Sequence, residues 1–177
     1  MLVSDAQRDI VRAYVGGGPG IIYSGVLWLI AGLAQSRHGT GLGFVVLFLG
    51  GMTIYPAGVL LSRHVFRRTA EAKDNPLGKT ALESTICMIG GLFAAWLMLP
   101  LKPAYVFPLA AIAVGTHFAV FKTVYGDRLF WLLAAVLTGL GCYGIFGGAP
   151  AAVVAFAVAA SEIVFGVILT VRATTRN

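Results

Sequence analysis

Residues 150–171, PAAVVAFAVAASEIVFGVILTV, decide the fold. The stretch is long enough to cross a bilayer and holds one ionisable side chain, Glu162. Pro150 suits the first position of a helix. A carboxylate in hydrocarbon belongs in a bundle interior or a wet cavity, with a partner. Most of the chain reads as packing built around that residue.

Working outward, apolar runs lie at about 19–35, 43–62, 79–100, 104–122, 129–147 and 150–171, each near the length of a spanning helix. The third and fourth are joined only by residues 101–103, and the last two by a Gly-Gly-Ala turn, so both pairs are antiparallel neighbours. The expected fold is an all-α integral membrane bundle of six helices. Of 177 residues, 58% are hydrophobic and 11% charged, against about 25% charged in a soluble domain. Mean hydropathy is +0.87. Nearly all the chain goes into spans, so no separate soluble domain is expected: residues 19–177 form one six-helix membrane domain, preceded by residues 1–18 as an amphipathic helix and glycine hinge.

Within residues 1–18, Asp5, Arg8, Asp9 and Arg12 occupy one side of a helix and Ala6, Ile10, Ala13 and Tyr14 the other. Ser4 and Gln7 fit a capping box. A short amphipathic helix on the inner membrane surface is expected. It is too charged for a signal peptide and is expected to be retained. The glycine-rich run at 16–20 reads as a hinge, since no Lys-Ser/Thr follows to make a phosphate loop.

Charge sets the orientation. Six spans place Arg8, Arg12, Arg63, Arg67, Arg68, Lys73, Lys79, Lys122, Arg128, Arg172 and Arg176 on one side, and only Arg37 and Lys102 on the other. That bias predicts cytoplasmic termini. It also accounts for the net charge of +6 without nucleic acid, for which no aromatic-interleaved basic stripe or zinc-finger spacing is present. In the loop 63–79, Arg63, Arg67, Arg68 and Lys73 are expected to contact lipid headgroups of the inner leaflet. Cys87 and Cys142 lie in apolar runs and read as small buried residues.

Within the spans, Gly50-Gly51 followed by Tyr55-Pro56 predicts a kink in the second. Small residues at Ala155, Ala159 and Gly166, in line with Glu162, predict close helix approach. Glu162, His117 and Glu83 all fall in the cytoplasmic half, and Tyr55 reaches a similar depth. A cavity open to the cytoplasm and lined by Glu83, His117, Glu162 and Tyr55 is the expected site for a substrate or a proton. Two of these residues also have a plainer reading: an interfacial or Lys79-paired Glu83, and a His117 that bridges helices. No metal is expected, because no span carries HxxxH or ExxH. No cofactor is expected. Ser84 and Ser161 each neighbour a Glu in sequence, but adjacent helical positions do not face each other, and no Gly-x-Ser-x-Gly elbow is present.

Four blocks, NPLGKT at 75–80, GTHF at 115–118, VYGD at 124–127 and SEIVFG at 161–166, resemble an uncharacterised family of small bacterial multi-helix membrane proteins, known as a domain of unknown function. The resemblance covers about residues 75–172 and is weaker over the first two spans. It implies a bacterial inner membrane and no particular activity.

Three functions stay open. One is a small proton-coupled transporter or permease using Glu162 and His117, for which LEST and ASEI in the third and sixth spans would suit an inverted repeat. The second is an intramembrane enzyme acting on a lipid or isoprenoid, with the same pair as acid and base. The third is a sensor or assembly factor in which the pair is a clasp. A polar path to both faces would favour transport, a pocket open sideways to lipid the enzyme, and a sealed contact the clasp. Expected partners are membrane lipids, an unknown small molecule or lipid, and a second copy of the chain.

Overall fold

A computed structural model describes residues 1–175; Arg176, counted above with the basic side, lies outside them. The chain forms α1 (Val3–Ala13), α2 (Gly18–His38), α3 (Thr40–Gly51), α4 (Ile54–Leu60, prolonged by a π turn over Leu61–Val65), α5 (Leu77–Leu97), α6 (Val106–Tyr125), α7 (Leu129–Phe146) and α8 (Ala151–Thr175). Among the described residues there is no strand. Five helices are long and apolar enough to cross a membrane, and the pair α3–α4, bent by 45°, makes a sixth. The protein is a multi-pass α-helical membrane protein.

The bend follows from residue chemistry. Pro56 has no N–H to continue the ladder from α3, and its ring excludes the carbonyl four residues back. Gly50-Gly51 weakens the helix just before it. The Thr53 hydroxyl donates to the Gly50 carbonyl at 2.6 Å, satisfying part of the opened backbone. The two pieces still follow α2 from end to end. Gly43 lies against Ala31 and Gln35, Gly50 against Leu27, Tyr23 bonds Thr53 at 3.0 Å, and Gly58 approaches Gly20. A re-entrant loop would leave half of α2 uncovered, so α3–α4 is one broken crossing.

The bundle core is built from Trp28, Phe107, Phe130, Leu133, Leu137 and Val158, all buried, with Trp28 edge-on to Phe107 at 6.0 Å. Helix α8 packs antiparallel to α2 at very short range. A Cβ on Gly25 would lie 2.9 Å from the Ala159 carbonyl, and one on Gly166 2.8 Å from the Ile22 amide. Helix α6 pairs similarly with α7, where Gly115 abuts Thr138 and Gly141 meets the Pro108 carbonyl. These glycines are contact surfaces rather than flexible points.

Residues 16–20 are not a loose hinge. Val15, Gly16 and Gly17 have φ of 51°, 64° and 78°, a tight left-handed reversal, and α2 begins at Gly18. The reversal is locked because Gly16 abuts Leu169 and Ala173, and Gly17 abuts Tyr125.

Helix α1 is amphipathic, but its apolar face is taken by protein. Ala6 and Ile10 are buried in a cluster with Leu77 and Val124, at the ends of α5 and α6. The capping box does not form. The N-cap is Leu2 with no side-chain hydrogen bond, and Gln7 instead donates to the Thr123 carbonyl at 2.7 Å. Docking onto neighbouring helices used the side chain that a box would have needed.

One end of the bundle therefore gathers α1, the α4–α5 loop, the α6–α7 turn and the end of α8, where Arg172 pairs with Asp127 at 3.5 Å. Ten described Lys and Arg residues belong to this end (Arg8, Arg12, Arg63, Arg67, Arg68, Lys73, Lys79, Lys122, Arg128 and Arg172), and Arg37 and Lys102 to the other. Single cysteines at Ser36 and Thr69, in a background with Cys87 and Cys142 replaced, are expected to label from opposite sides of sealed vesicles. Labelling of both from one side would contradict the six-crossing arrangement.

Candidate functional site

The α4–α5 loop is clamped beneath α1. Arg12 donates to the Ala70 carbonyl at 3.0 Å and also bonds Thr69. The Asp9 carboxylate accepts from the Ala72 amide at 2.8 Å and from Asn75 at 3.1 Å, and Asn75 also donates to the Ala6 carbonyl at 3.0 Å. Burial opposes ionisation of Asp9, yet the Ala72 amide, Arg12 and Asn75 together outweigh it and hold its carboxyl below the usual range. Glu71 differs. Burial pushes it up, the hydrogen bond from Tyr14 works the other way, and the nearby Asp9 charge adds to the rise. In this loop Arg63, Arg67 and Lys73 are exposed and Arg68 is half-buried.

Tyr55 belongs to this surface cap. It is 70% exposed, and its hydroxyl sits 3.4 Å from that of Tyr14, which donates to Glu71 at 3.2 Å. Beyond the break at 52–53, α4 carries Tyr55 away from the interior position that a straight second span would give it. Glu83 is exposed on the outer side of α5, and the described ion pairs do not include Lys79 with it.

Glu162 is completely buried on the face of α8 that packs against α2. Neither carboxyl oxygen has a hydrogen-bond partner among the described residues. The Ser24 hydroxyl of α2 is its polar neighbour but lies outside hydrogen-bonding geometry. The pairing of Glu162 with His117 is therefore not formed. Tight packing of Gly18, Gly25 and Gly166 turns the Glu162 face of α8 onto α2, whereas His117 turns toward α5.

His117 meets Ser84. The Ser84 hydroxyl lies 2.8 Å from His117 Nδ1 and 3.3 Å from the His117 carbonyl oxygen. One arrangement satisfies every atom: Nδ1–H donates to the hydroxyl, which donates to the carbonyl. Nε2, which makes no hydrogen bond among the described residues and is not sealed from the surface, is then a free acceptor. Phe121 stands edge-on to the imidazole at 4.5 Å and limits its rotation.

Around this pair lies a groove of about 250 Å³, lined by Ser84, Cys87, Met88, Gly91, Ala113 and Thr116 together with His117 and Val120. All come from α5 and α6, so the groove opens on the outer face of the bundle, with exposed Cys87 and Thr116 at its rim. Helix α5 is peripheral and shows Leu82, Ile86, Ile89 and Phe93 to the surroundings. Ser84 lies two turns inside α5, about 10 Å from its start. The groove's polar end is thus within the apolar zone but near the basic end of the bundle. Ser84 escaped the sequence reading because it was weighed against its neighbour Glu83. Across the α5–α6 hairpin, Ser84 and His117 stand at similar distances from the turn, and that was the available signal. Among the described residues no group of His, Cys, Asp and Glu side chains could hold a metal.

The fold defines a small polytopic helical membrane protein, with a largely apolar groove on the outer face of α5 and α6. Over residues 3–172 the chain matches a family of unknown function (DUF7010), and it belongs to that family. The likeness seen over 75–172 thus extends back through α1 and the first two spans. No curated protein and no solved structure matches it.

Proposed function

We propose that the protein takes an amphiphile, a membrane lipid or an isoprenoid, sideways from the bilayer into the α5–α6 groove and holds its polar end at Ser84 and His117. The observation that carries this reading is that the groove is built by two adjacent helices and opens laterally. A carrier would need polar lining toward both ends of the bundle. Here the wall beyond the Ser–His pair, away from the basic end, is Met88, Gly91 and Ala113, which suits part of a hydrocarbon chain. His117 Nε2 is placed to accept from a hydroxyl and is the group available for acid–base work if the bound molecule is transformed. Ser84 fixes the ring through its contact with Nδ1. The excess of Lys and Arg at the basic end supports a cytoplasmic side there, and the family resemblance supports a bacterial inner membrane.

A photoactivatable prenol or fatty acid in liposomes tests the reading. Cross-links are expected in α5 and α6 within 84–91 and 113–120, and His117→Ala should cut them several-fold without changing labelling of α7. Labelling spread evenly over the lipid-facing helices, or unchanged in His117→Ala, would defeat the proposal.

A second reading is favoured by one observation, the buried and partnerless carboxyl of Glu162. Intramembrane carboxyls of this kind serve proton relays, so a proton-coupled permease remains the competing function.

A further inference from the structure

At the basic end of the bundle, away from the α5–α6 groove, a pocket of about 430 Å³ opens between α1, the α6–α7 turn and the end of α8. Its apolar floor is Val11, Leu169 and Ala173, and its rim carries Asp127, Arg128 and Arg172. We propose that this pocket binds a phosphate group at the membrane surface.

The charge count on the rim points to an anion. Both oxygens of Asp127 are already engaged, Oδ1 by the Leu129 amide at 2.9 Å and Oδ2 by Arg172 at 3.5 Å. That ion pair is long and uses one terminal nitrogen of Arg172, leaving further guanidinium N–H groups for a ligand. Arg128 is exposed and has no acidic partner among the described residues. Two guanidinium groups against one internally satisfied carboxylate leave a net positive rim. Arginine forks match the oxygens of a phosphate. The wall is also preformed, because Gly126 holds φ of 73° and Gly16 is locked against Leu169 and Ala173. An apolar floor below a basic rim at the membrane surface suits a phospholipid headgroup with the start of its chains. A free phosphate ion would use the rim alone.

Native mass spectrometry of protein extracted from nanodiscs of phosphatidylcholine and phosphatidylglycerol is the test. Wild-type protein is expected to retain phosphatidylglycerol preferentially. Arg128→Gln with Arg172→Gln should weaken retention on the order of tenfold, whereas Arg128→Lys with Arg172→Lys should keep most of it. Arg37→Gln with Lys102→Gln, an equal loss of charge at the other end of the bundle, should have little effect. Inorganic phosphate added to lipid-free protein in detergent separates the sources. A raised melting midpoint supports a site open to free phosphate, and no shift, beside lipid retained from the nanodiscs, supports the headgroup. If Arg172→Gln fails to fold, Arg128→Gln alone carries the test, because that side chain is exposed and has no acidic partner among the described residues. Absence of phosphatidylglycerol preference together with no phosphate shift overturns the proposal, as does a loss of retention equal to that of the Arg37/Lys102 variant.

Discussion

Gly18→Ala is expected to lower the melting midpoint of the detergent-solubilised protein sharply, by an amount corresponding to about 1–3 kcal/mol. Gly18 opens α2 with ordinary helical geometry (φ −56°), so the substitution introduces no backbone strain. The effect is purely one of contact. A Cβ there would sit 2.5 Å from the Gly166 carbonyl oxygen and 2.6 Å from the Thr170 amide, besides meeting the Thr170 hydroxyl. Those are backbone atoms of α8 and cannot swing aside, so the two helices must separate. In lipid, helix association depends on close packing because no hydrophobic force favours one apolar surface over another. Separation along the α2–α8 contact would also expose Glu162 and loosen the locked turn at Gly16. Gly90→Ala is the control. It lies in α5 with nothing within 4 Å of its Cβ position, so it should be neutral or raise stability by about 0.5–1 kcal/mol. Equal behaviour of the two variants would show that the α2–α8 contact is not what holds the bundle.

Glu162→Met is expected to raise stability, by about 1–3 kcal/mol. A polar group buried without a partner has lost its water and gained nothing in return. In detergent the separated helices give the carboxyl back to water, so the folded state alone bears that loss. Met fills similar volume and adapts to the space between α2 and α8. Glu162→Gln keeps shape and hydrogen-bonding capacity, and should leave folding largely intact while abolishing any pH-dependent transport. The pair of variants separates the competing functions. A Glu162→Met protein that is stabilised and still cross-links photoactivatable lipid normally would put Glu162 outside the amphiphile site. A Glu162→Met protein that no longer folds would make the carboxyl a structural clasp, contrary to its partnerless geometry.

The two variants bear on different layers of the molecule. Gly18 tests the contact that assembles α2 and α8, and Glu162 tests a polar group that this contact encloses. Neither touches the α5–α6 groove, where Ser84 and His117 lie on helices joined by the short connection around residues 101–103. Lipid binding at the groove should therefore survive Glu162→Met, and the labelling experiment can be read in that stabilised background.

The sequence by itself determined that the protein is a helical membrane bundle, which end carries the basic residues, and that the second crossing breaks near Pro56. These follow from apolar run length, charge placement and a missing N–H, each a property of the chain read along one dimension. The amphipathic face of α1 was equally legible, since Ala6, Ile10 and Ala13 recur at helical spacing. What that face rests on was not, because helix ends and a lipid surface offer it similar apolar contact. Only the tertiary structure decided that it sits on Leu77 and Val124, with Gln7 drawn to Thr123 rather than into a capping box. The same holds for the site. Glu162 and His117 could be placed by depth, but depth says nothing about rotation. With small residues on several faces of each helix, the rotational setting comes from which glycines meet which backbones. Gly18, Gly25 and Gly166 turned Glu162 onto α2, and the close approach of Gly91 to Ala113 turned His117 onto Ser84.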